Sequence, residues 1–125
     1  MKQHKILVVD DEKDLAKFIQ LILSEDTSFD VITVSDSSKV LPTVLEWKPN
    51  LILLDIIMPG LQGNEIAEQI RESSELEGIK IIFITALVKK YEVNENGVIG
   101  GRRFLTKPID ADSLLLAVRE ELLIS

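Results

Sequence analysis

Four short, mostly apolar runs of this chain each end on a polar residue, and no other feature constrains the fold as strongly. The runs cover residues 6–9, 51–54, 81–84 and 104–106, and they are followed by Asp10 with Asp11, Asp55, Thr85 and Lys107. A short run that is rich in β-branched residues and bounded by polar ones is typical of a strand buried on both faces. We therefore predict four buried strands, each of which leaves the core at one of these polar residues.

Amphipathic segments between the runs predict helices. Leu15, Phe18, Ile19 and Ile22 follow the spacing of one helical face, which predicts the first helix. Three more helices are predicted from apolar stripes at Val40, Val44 and Leu45, at Ile66 and Ile70, and at Leu114, Leu115, Val118 and Leu122, with Asp110 or Asp112 as the cap of the last. Residues 29–34 are predicted as a short strand, and residues 88–99 as a weaker helix, since Asn94, Asn96 and Gly97 are poor helix formers.

The alternation of five strands with helices predicts an α/β fold, a doubly wound five-stranded parallel sheet in the flavodoxin-like order 2-1-3-4-5. A length of 125 residues fits a single domain over residues 1–125. In this order strands one and three are neighbours, so Asp10, Asp11 and Asp55 should meet where ligands bind such sheets. Clustered carboxylates repel one another, and we expect them to hold a hard divalent cation, Mg²⁺ rather than Zn²⁺, with Lys107 offsetting further charge.

Composition excludes several other functions. A formal net charge of −7 disfavours direct contact with nucleic acid phosphates. The absence of cysteine and the single histidine, His4, exclude a disulfide framework and the usual zinc ligand sets. The apolar runs are too short to span a bilayer. We therefore expect a cytoplasmic protein that contacts neither nucleic acid nor membrane directly.

The four polar strand ends stand in motifs that resemble those of the response-regulator receiver domain family. These motifs are Val8-Val9-Asp10-Asp11-Glu12, Leu54-Asp55-Ile56-Ile57-Met58-Pro59-Gly60 with Gly63, Thr85-Ala86, and Phe104-Leu105-Thr106-Lys107-Pro108. The resemblance covers the whole chain. It implies a phosphoacceptor of a two-component phosphorelay, in which Asp55 takes a phosphoryl group from a histidine kinase, a histidine phosphotransfer protein or a small phosphodonor.

The resemblance also implies a role for each site residue. Asp10, Asp11, Asp55 and the backbone carbonyl of Ile57 would hold Mg²⁺. Lys107 would pair with Asp55 and then with a phosphoryl oxygen, and the Thr85 hydroxyl would bond another such oxygen. Thr85 and Phe104 would form the switch that alters a partner-binding face, and the bond between Lys107 and Pro108 would be cis. The apolar residues Ile57 and Leu87 would slow hydrolysis of the phosphoryl group.

Three other functions fit these residues less well. A Mg²⁺-dependent phosphohydrolase needs a second acid/base aspartate two positions after the nucleophile, where this chain has Ile57. A receiver-like scaffold that acts without phosphorylation usually lacks site residues that are present here, and a flavin-binding module needs a phosphate-cradling loop where this chain has Asp11-Glu12. We therefore expect a phosphoacceptor domain that is not an enzyme and assists only its own phosphorylation and dephosphorylation. We expect it to be a monomer or a weak phosphorylation-dependent dimer.

Overall fold

The computed structural model describes residues 4–56, 63–85, 98–99 and 102–124 of the chain. Its strands are β1 (His4–Val9), β2 (Phe29–Val34), β3 (Leu51–Asp55), β4 (Lys80–Thr85), β5 (Val98–Ile99) and β6 (Arg102–Thr106). Its α-helices are α1 (Lys13–Ser24), α2 (Val40–Trp47), α3 (Gly63–Glu72) and α4 (Ala111–Glu121). Two single turns of 3₁₀-helix, Ser37–Lys39 and Ser74–Leu76, lie before α2 and after α3.

The strands form one sheet in the order β2-β1-β3-β4-β6-β5. All pairs except the last are parallel, so the five parallel strands have the predicted order 2-1-3-4-5, with β6 as the fifth. The short β5 pairs antiparallel to β6. The prediction of a helix over residues 88–99 was wrong for Val98 and Ile99, because these β-branched residues pair with the edge of the sheet. Residues 88–97 lie outside the described residues.

The sheet is covered on both faces, which makes the fold doubly wound. Alternate residues of β1 belong to opposite cores: Ile6 and Val8 pack with α1 and α4, whereas Leu7 and Val9 pack with α2 and α3. Residues 6–9 and 51–54 are wholly buried. Burial on both faces explains why these segments are continuous apolar runs rather than alternating ones.

The four helices were predicted in the right places, but one residue of the predicted buried face of α1 and one of α2 are exposed. The core is contacted by the other predicted residues, Leu15, Ile19 and Ile22 of α1 and Val40 and Val44 of α2. In α1 the buried residues are Ala16, Ile19 and Leu23, whereas Phe18 is 45% exposed. Leu45 of α2 is likewise 40% exposed. In both helices the hydrophobic residues exceed the width of the stripe that meets the sheet, so some of them lie on the flank.

The other helical stripes agree with their predicted faces. Ile66 and Ile70 of α3 and Leu114 and Val118 of α4 are buried, and Leu115 and Leu122 pack partly against the same core. Of the two candidate caps for α4, the structure selects Asp110. Its Oδ2 accepts a hydrogen bond from the backbone N–H of Ser113 at 3.0 Å, and the same oxygen accepts one from the Ser113 hydroxyl.

Candidate functional site

The carboxyl ends of four parallel strands meet at one edge of the sheet. In the strand register, Val9 of β1 lies beside Leu54 of β3, and the residues that follow them are Asp10 and Asp55. Thr85 at the end of β4 lies beside Thr106 of β6, directly before Lys107. Parallel pairing therefore brings the predicted polar residues to one crevice, the usual ligand position in open α/β sheets.

Asp10, Asp11 and Asp55 form an acidic cluster at this edge. One carboxylate oxygen from each residue lies within 4.8 Å of the other two. Asp10 is fully buried and Asp55 is 4% exposed, while Asp11 is open to solvent. The cluster thus has a buried floor and one ligand facing water, an arrangement from which a cation could exchange with solvent.

Asp10 is the most strongly constrained carboxylate. Its Oδ1 accepts a hydrogen bond from the backbone N–H of Glu12 at 2.9 Å. Its Oδ2 is buried and has no hydrogen-bond partner among the described residues, and the Lys107 ammonium lies 3.4 Å from it without hydrogen-bond geometry. Burial raises the pKa of Asp10, although the Glu12 hydrogen bond and the Lys107 charge oppose that shift. A buried carboxylate oxygen without a donor is unfavourable unless another positive group, such as a metal ion, satisfies it.

Lys107 supplies positive charge to the site. Its Nζ lies 2.8 Å from Glu12 Oε1, 3.4 Å from Asp10 Oδ2 and 3.7 Å from Asp55 Oδ2. Partial burial lowers the pKa of Lys107, but the hydrogen bond to Glu12 and the neighbouring carboxylate charges outweigh burial and raise it. The backbone N–H of Lys107 donates to the carbonyl of Thr85 at 3.0 Å, which fixes the start of this loop against β4. The cis bond expected between Lys107 and Pro108 is confirmed.

Thr85 and Phe104, the two residues expected to form the switch, lie on neighbouring strands. Thr85 is 3% exposed at the end of β4. The partly buried Phe104 ring stacks on the ring of Phe83, with centroids 5.2 Å apart and planes at 26°. The two residues expected to tune hydrolysis, Ile57 and Leu87, lie outside the described residues.

Glu12 is the site residue that sequence reasoning missed. It occupies the N-cap position of α1, but its side chain makes no capping hydrogen bond there and instead binds Lys107. The sequence signal that could have indicated Glu12 is its position as the third of three consecutive acidic residues after β1. The contact itself joins residues 95 positions apart, so only the fold reveals it.

The donor set of the cluster suits a hard divalent cation. Its ligands are carboxylate oxygens, which Mg²⁺ prefers over the nitrogen and sulfur ligands typical of zinc. The buried Asp10 Oδ2 is the independent structural sign, since a cation beside it would satisfy an oxygen that is otherwise without a donor. The chemistry of the residues present therefore fits Mg²⁺.

Within the described part of the chain, no helix has the length and apolar character needed to cross a membrane.

Comparison with known proteins agrees with this geometry. Residues 6–119 match the sequence model of the response regulator receiver domain. The chain is 32% identical over 120 residues to the DNA-binding response regulator MtrA of Mycolicibacterium smegmatis, covering 96% of this chain and 51% of MtrA. It is 37% identical over 115 residues to the response regulator ArlR of Staphylococcus saprophyticus, covering 92% and 50%. The chain thus spans about half the length of these two relatives.

Solved structures show the same architecture. The receiver domain of a Francisella response regulator superimposes with a TM-score of 0.76 at 28% identity, covering 96% of this chain and 95% of that domain. The similarity extends over nearly the whole of both chains.

Proposed function

Because this chain belongs to the response-regulator receiver domain family, we propose that it accepts a phosphoryl group on Asp55. The observation that carries this proposal is the convergence of the buried Asp55 with Asp10, Asp11 and the Lys107 ammonium at one sheet edge. A nucleophilic carboxylate needs nearby positive charge to receive an anionic group. Among the described residues, this edge offers the Lys107 ammonium and oxygen ligands for a metal cation.

The proposed reaction is an exchange of one bond at phosphorus. A carboxylate oxygen of Asp55 attacks the phosphorus of a phosphohistidine or of a small phosphodonor. The new P–O bond forms as the P–N bond of the donor breaks, and the departing nitrogen retains the electron pair and is protonated by water. The leaving group is the imidazole of phosphohistidine, or ammonia when the donor is phosphoramidate. Lys107, whose Nζ lies 3.7 Å from Asp55 Oδ2, would pair with a phosphoryl oxygen, and the Thr85 hydroxyl would donate to another.

Asp10, Asp11 and Asp55, with the backbone carbonyl of Ile57, would hold Mg²⁺. Bound there, the ion supplies positive charge to the phosphoryl oxygens. Asp10 contributes a buried oxygen that no hydrogen bond satisfies, and Asp11 contributes an exposed carboxylate. The domain assists its own phosphorylation and dephosphorylation in this way and is otherwise not an enzyme.

The response to phosphorylation would pass through Thr85 and Phe104. Movement of the Thr85 hydroxyl towards the phosphoryl group vacates space that the Phe104 ring can enter, which shifts an existing equilibrium. Phe104 starts from a stack on the buried Phe83, so that ring contact must rearrange when Phe104 turns. Phe104 has no hydroxyl, and its readout to a partner is therefore apolar.

Slow hydrolysis is proposed from Ile57 and Leu87, which lie two positions beyond Asp55 and Thr85. Neither side chain can orient an attacking water. A phosphate-release time course should therefore be slower for the wild type than for Ile57→Asn or Leu87→Glu. Unchanged rates in both variants would contradict this part of the proposal.

The proposed partners are a histidine kinase or a histidine phosphotransfer protein upstream, and a protein or output domain that reads the switched face. We propose that the domain acts in the cytoplasm, without direct contact with nucleic acid or membrane. It would do so as a monomer or as a weak dimer formed on phosphorylation. MtrA is named a DNA-binding regulator and is about twice as long as this chain, so its binding of DNA is a property of that longer protein.

Incubation with Mg²⁺ and phosphoramidate, followed by intact-mass measurement, tests the function. The wild type and Asp14→Asn, a control at an exposed position of α1, should gain the mass of one phosphoryl group, and Asp55→Asn should not. Chelation of the metal should abolish the gain. A gain in Asp55→Asn equal to that of the wild type would refute the assignment of Asp55, and rapid multiple-turnover release of phosphate from unrelated monoesters would favour the hydrolase.

A further inference from the structure

The Lys107 ammonium is closer to Glu12 than to either buried carboxylate of the site. The distance from Nζ is 2.8 Å to Glu12 Oε1, with hydrogen-bond geometry, against 3.4 Å to Asp10 and 3.7 Å to Asp55. The Lys107 side chain is 18% exposed, and the Glu12 side chain is 62% exposed. The ammonium is therefore drawn towards the rim of the crevice by a solvent-facing carboxylate.

We propose that Glu12 is a positioning residue that holds Lys107 away from Asp55 and competes with the phosphoryl group for its ammonium. This inference rests on the proposed function, because it concerns the lysine of the same site. It adds a residue with a defined direction of effect: Glu12 stabilises the unphosphorylated state and opposes its conversion.

The direction follows from what Lys107 must do when a phosphoryl group arrives. We expect the ammonium to shift from Glu12 towards a phosphoryl oxygen on Asp55, because a phosphoryl group carries more negative charge than the carboxylate that it modifies. That movement lengthens or breaks the 2.8 Å contact with Glu12. The free energy of this contact is then lost on phosphorylation, so Glu12 lowers the affinity of the site for the phosphoryl group.

The alternative is an incidental surface ion pair without effect on the site. Two features argue against it. Glu12 occupies the N-cap position of α1, and its backbone N–H is bonded to Asp10, which fixes the origin of its side chain beside the site. Lys107 is held at the other end by the bond from its backbone N–H to Thr85. Both ends of the contact are therefore anchored to the strand ends that form the crevice.

The size of the effect is set by the exposure of Glu12. An ion pair open to solvent on one side is worth little, and its removal should change an equilibrium constant only about two- to fivefold. Beryllofluoride, a stable mimic of an aspartyl phosphoryl group, should bind Glu12→Gln about two- to fivefold more tightly than the wild type at saturating Mg²⁺. The exposed Asp14→Asn, which removes the same charge two residues away, should bind it as the wild type does.

A second measurement tests the contact without any ligand. The side-chain ¹⁵N signal of Lys107, identified by its loss in Lys107→Met, should shift in metal-free Glu12→Gln and stay in place in Asp14→Asn. In the wild type the same signal should move on addition of beryllofluoride with Mg²⁺. If Glu12→Gln unfolds at the same temperature as the wild type, a change in its affinity for beryllofluoride cannot come from a general loss of stability.

The outcomes separate this inference from the proposed function. If the wild type binds beryllofluoride and Glu12→Gln binds it with equal or weaker affinity, the inference is wrong and the proposed function stands. An unshifted Lys107 signal in Glu12→Gln also overturns the inference. If the wild type neither binds beryllofluoride nor gains phosphoryl mass, the proposed function itself fails.

Discussion

Replacement of Asp10 by asparagine should stabilise the metal-free protein. Asp10 is a fully buried carboxylate whose Oδ2 has no hydrogen-bond partner, and it lies among two further carboxylates. Asparagine has nearly the same shape and keeps an oxygen for the hydrogen bond from the Glu12 backbone. It replaces the unsatisfied oxygen with an amide N–H₂ group, which can donate to the neighbouring carboxylates.

The magnitude follows from the distances in the cluster. At the 4.8 Å limit of the cluster and an effective dielectric constant of about 20, Asp10 is repelled by about 3.5 kcal/mol by each of the other two carboxylates. With the same dielectric constant, the Lys107 ammonium at 3.4 Å attracts Asp10 by about 5 kcal/mol. The net repulsion is about 2 kcal/mol, so Asp10→Asn should raise the free energy of unfolding by about 1–3 kcal/mol.

Urea unfolding with and without Mg²⁺ is the appropriate assay. In chelator the variant should have the higher midpoint, with an unchanged slope. Millimolar Mg²⁺ should stabilise the wild type, by about 2.7 kcal/mol at a roughly hundredfold excess over the dissociation constant, and the variant much less. Asp14→Asn should resemble the wild type in both conditions. A variant less stable than the wild type in chelator would refute the reasoning, since it would mean that attraction by Lys107 exceeds the repulsion in the cluster.

Three further predictions concern the scaffold. Ile52→Ala in the wholly buried β3 should lower the free energy of unfolding by about 2–5 kcal/mol, whereas Leu116→Ala, at a side chain 61% exposed, should change it by no more than about 0.5 kcal/mol, both by urea unfolding. Arg103→Ala, which removes ion pairs of 3.0 and 3.2 Å to two glutamates of α4, should cost no more than about 1 kcal/mol, and a loss that persists in high salt would contradict this. Hydrogen bonds from Ser28, with a smaller contribution from the Arg119 charge, hold the pKa of Asp26 below its ordinary value of 3.8. The ionised Asp26 carboxylate therefore stabilises the fold above pH 3.8, and this stabilisation is lost as the pH falls through the lower pKa of the folded state. Asp26→Asn should therefore lower the melting temperature at neutral pH but not in strong acid, and an equal loss at both would contradict the assignment.

The sequence was sufficient to predict the five parallel strands and the positions of their polar ends, but not the antiparallel edge strand β5. Residues 6–9 and 51–54 are buried on both faces of the sheet, and such burial requires apolar residues at consecutive positions. These segments are therefore visible in the sequence as continuous apolar runs. Parallel crossovers predicted a doubly wound sheet, and the flavodoxin-like order 2-1-3-4-5 was the most plausible arrangement of its five strands. Because parallel strands end at a common edge, the proximity of Asp10, Asp11 and Asp55 followed from that order as well.

The features that the sequence did not predict depend on tertiary contacts. Phe18 fits the apolar spacing of α1 but lies on its flank, because the sheet selects the face through Ala16, Ile19 and Leu23. Spacing alone does not fix how far a helix is rotated against its sheet. The pairing of Glu12 with Lys107 is of the same kind, since it depends on how a side chain at the start of α1 meets the loop after β6.

The charge balance of the crevice links these observations. Counting the described residues alone, Asp10, Asp11, Asp55 and Glu12 bring four negative charges to the crevice and the Lys107 ammonium brings one positive charge. Mg²⁺ would leave these residues with an excess of one negative charge. Phosphorylation of Asp55 would add negative charge to the same crevice, and competition for the ammonium would then increase. A stronger pairing of Lys107 with the added charge would weaken its contact with Glu12, the carboxylate that lies nearest to it. The residue at position 12 therefore sets part of the cost of phosphorylation without touching the phosphoryl group.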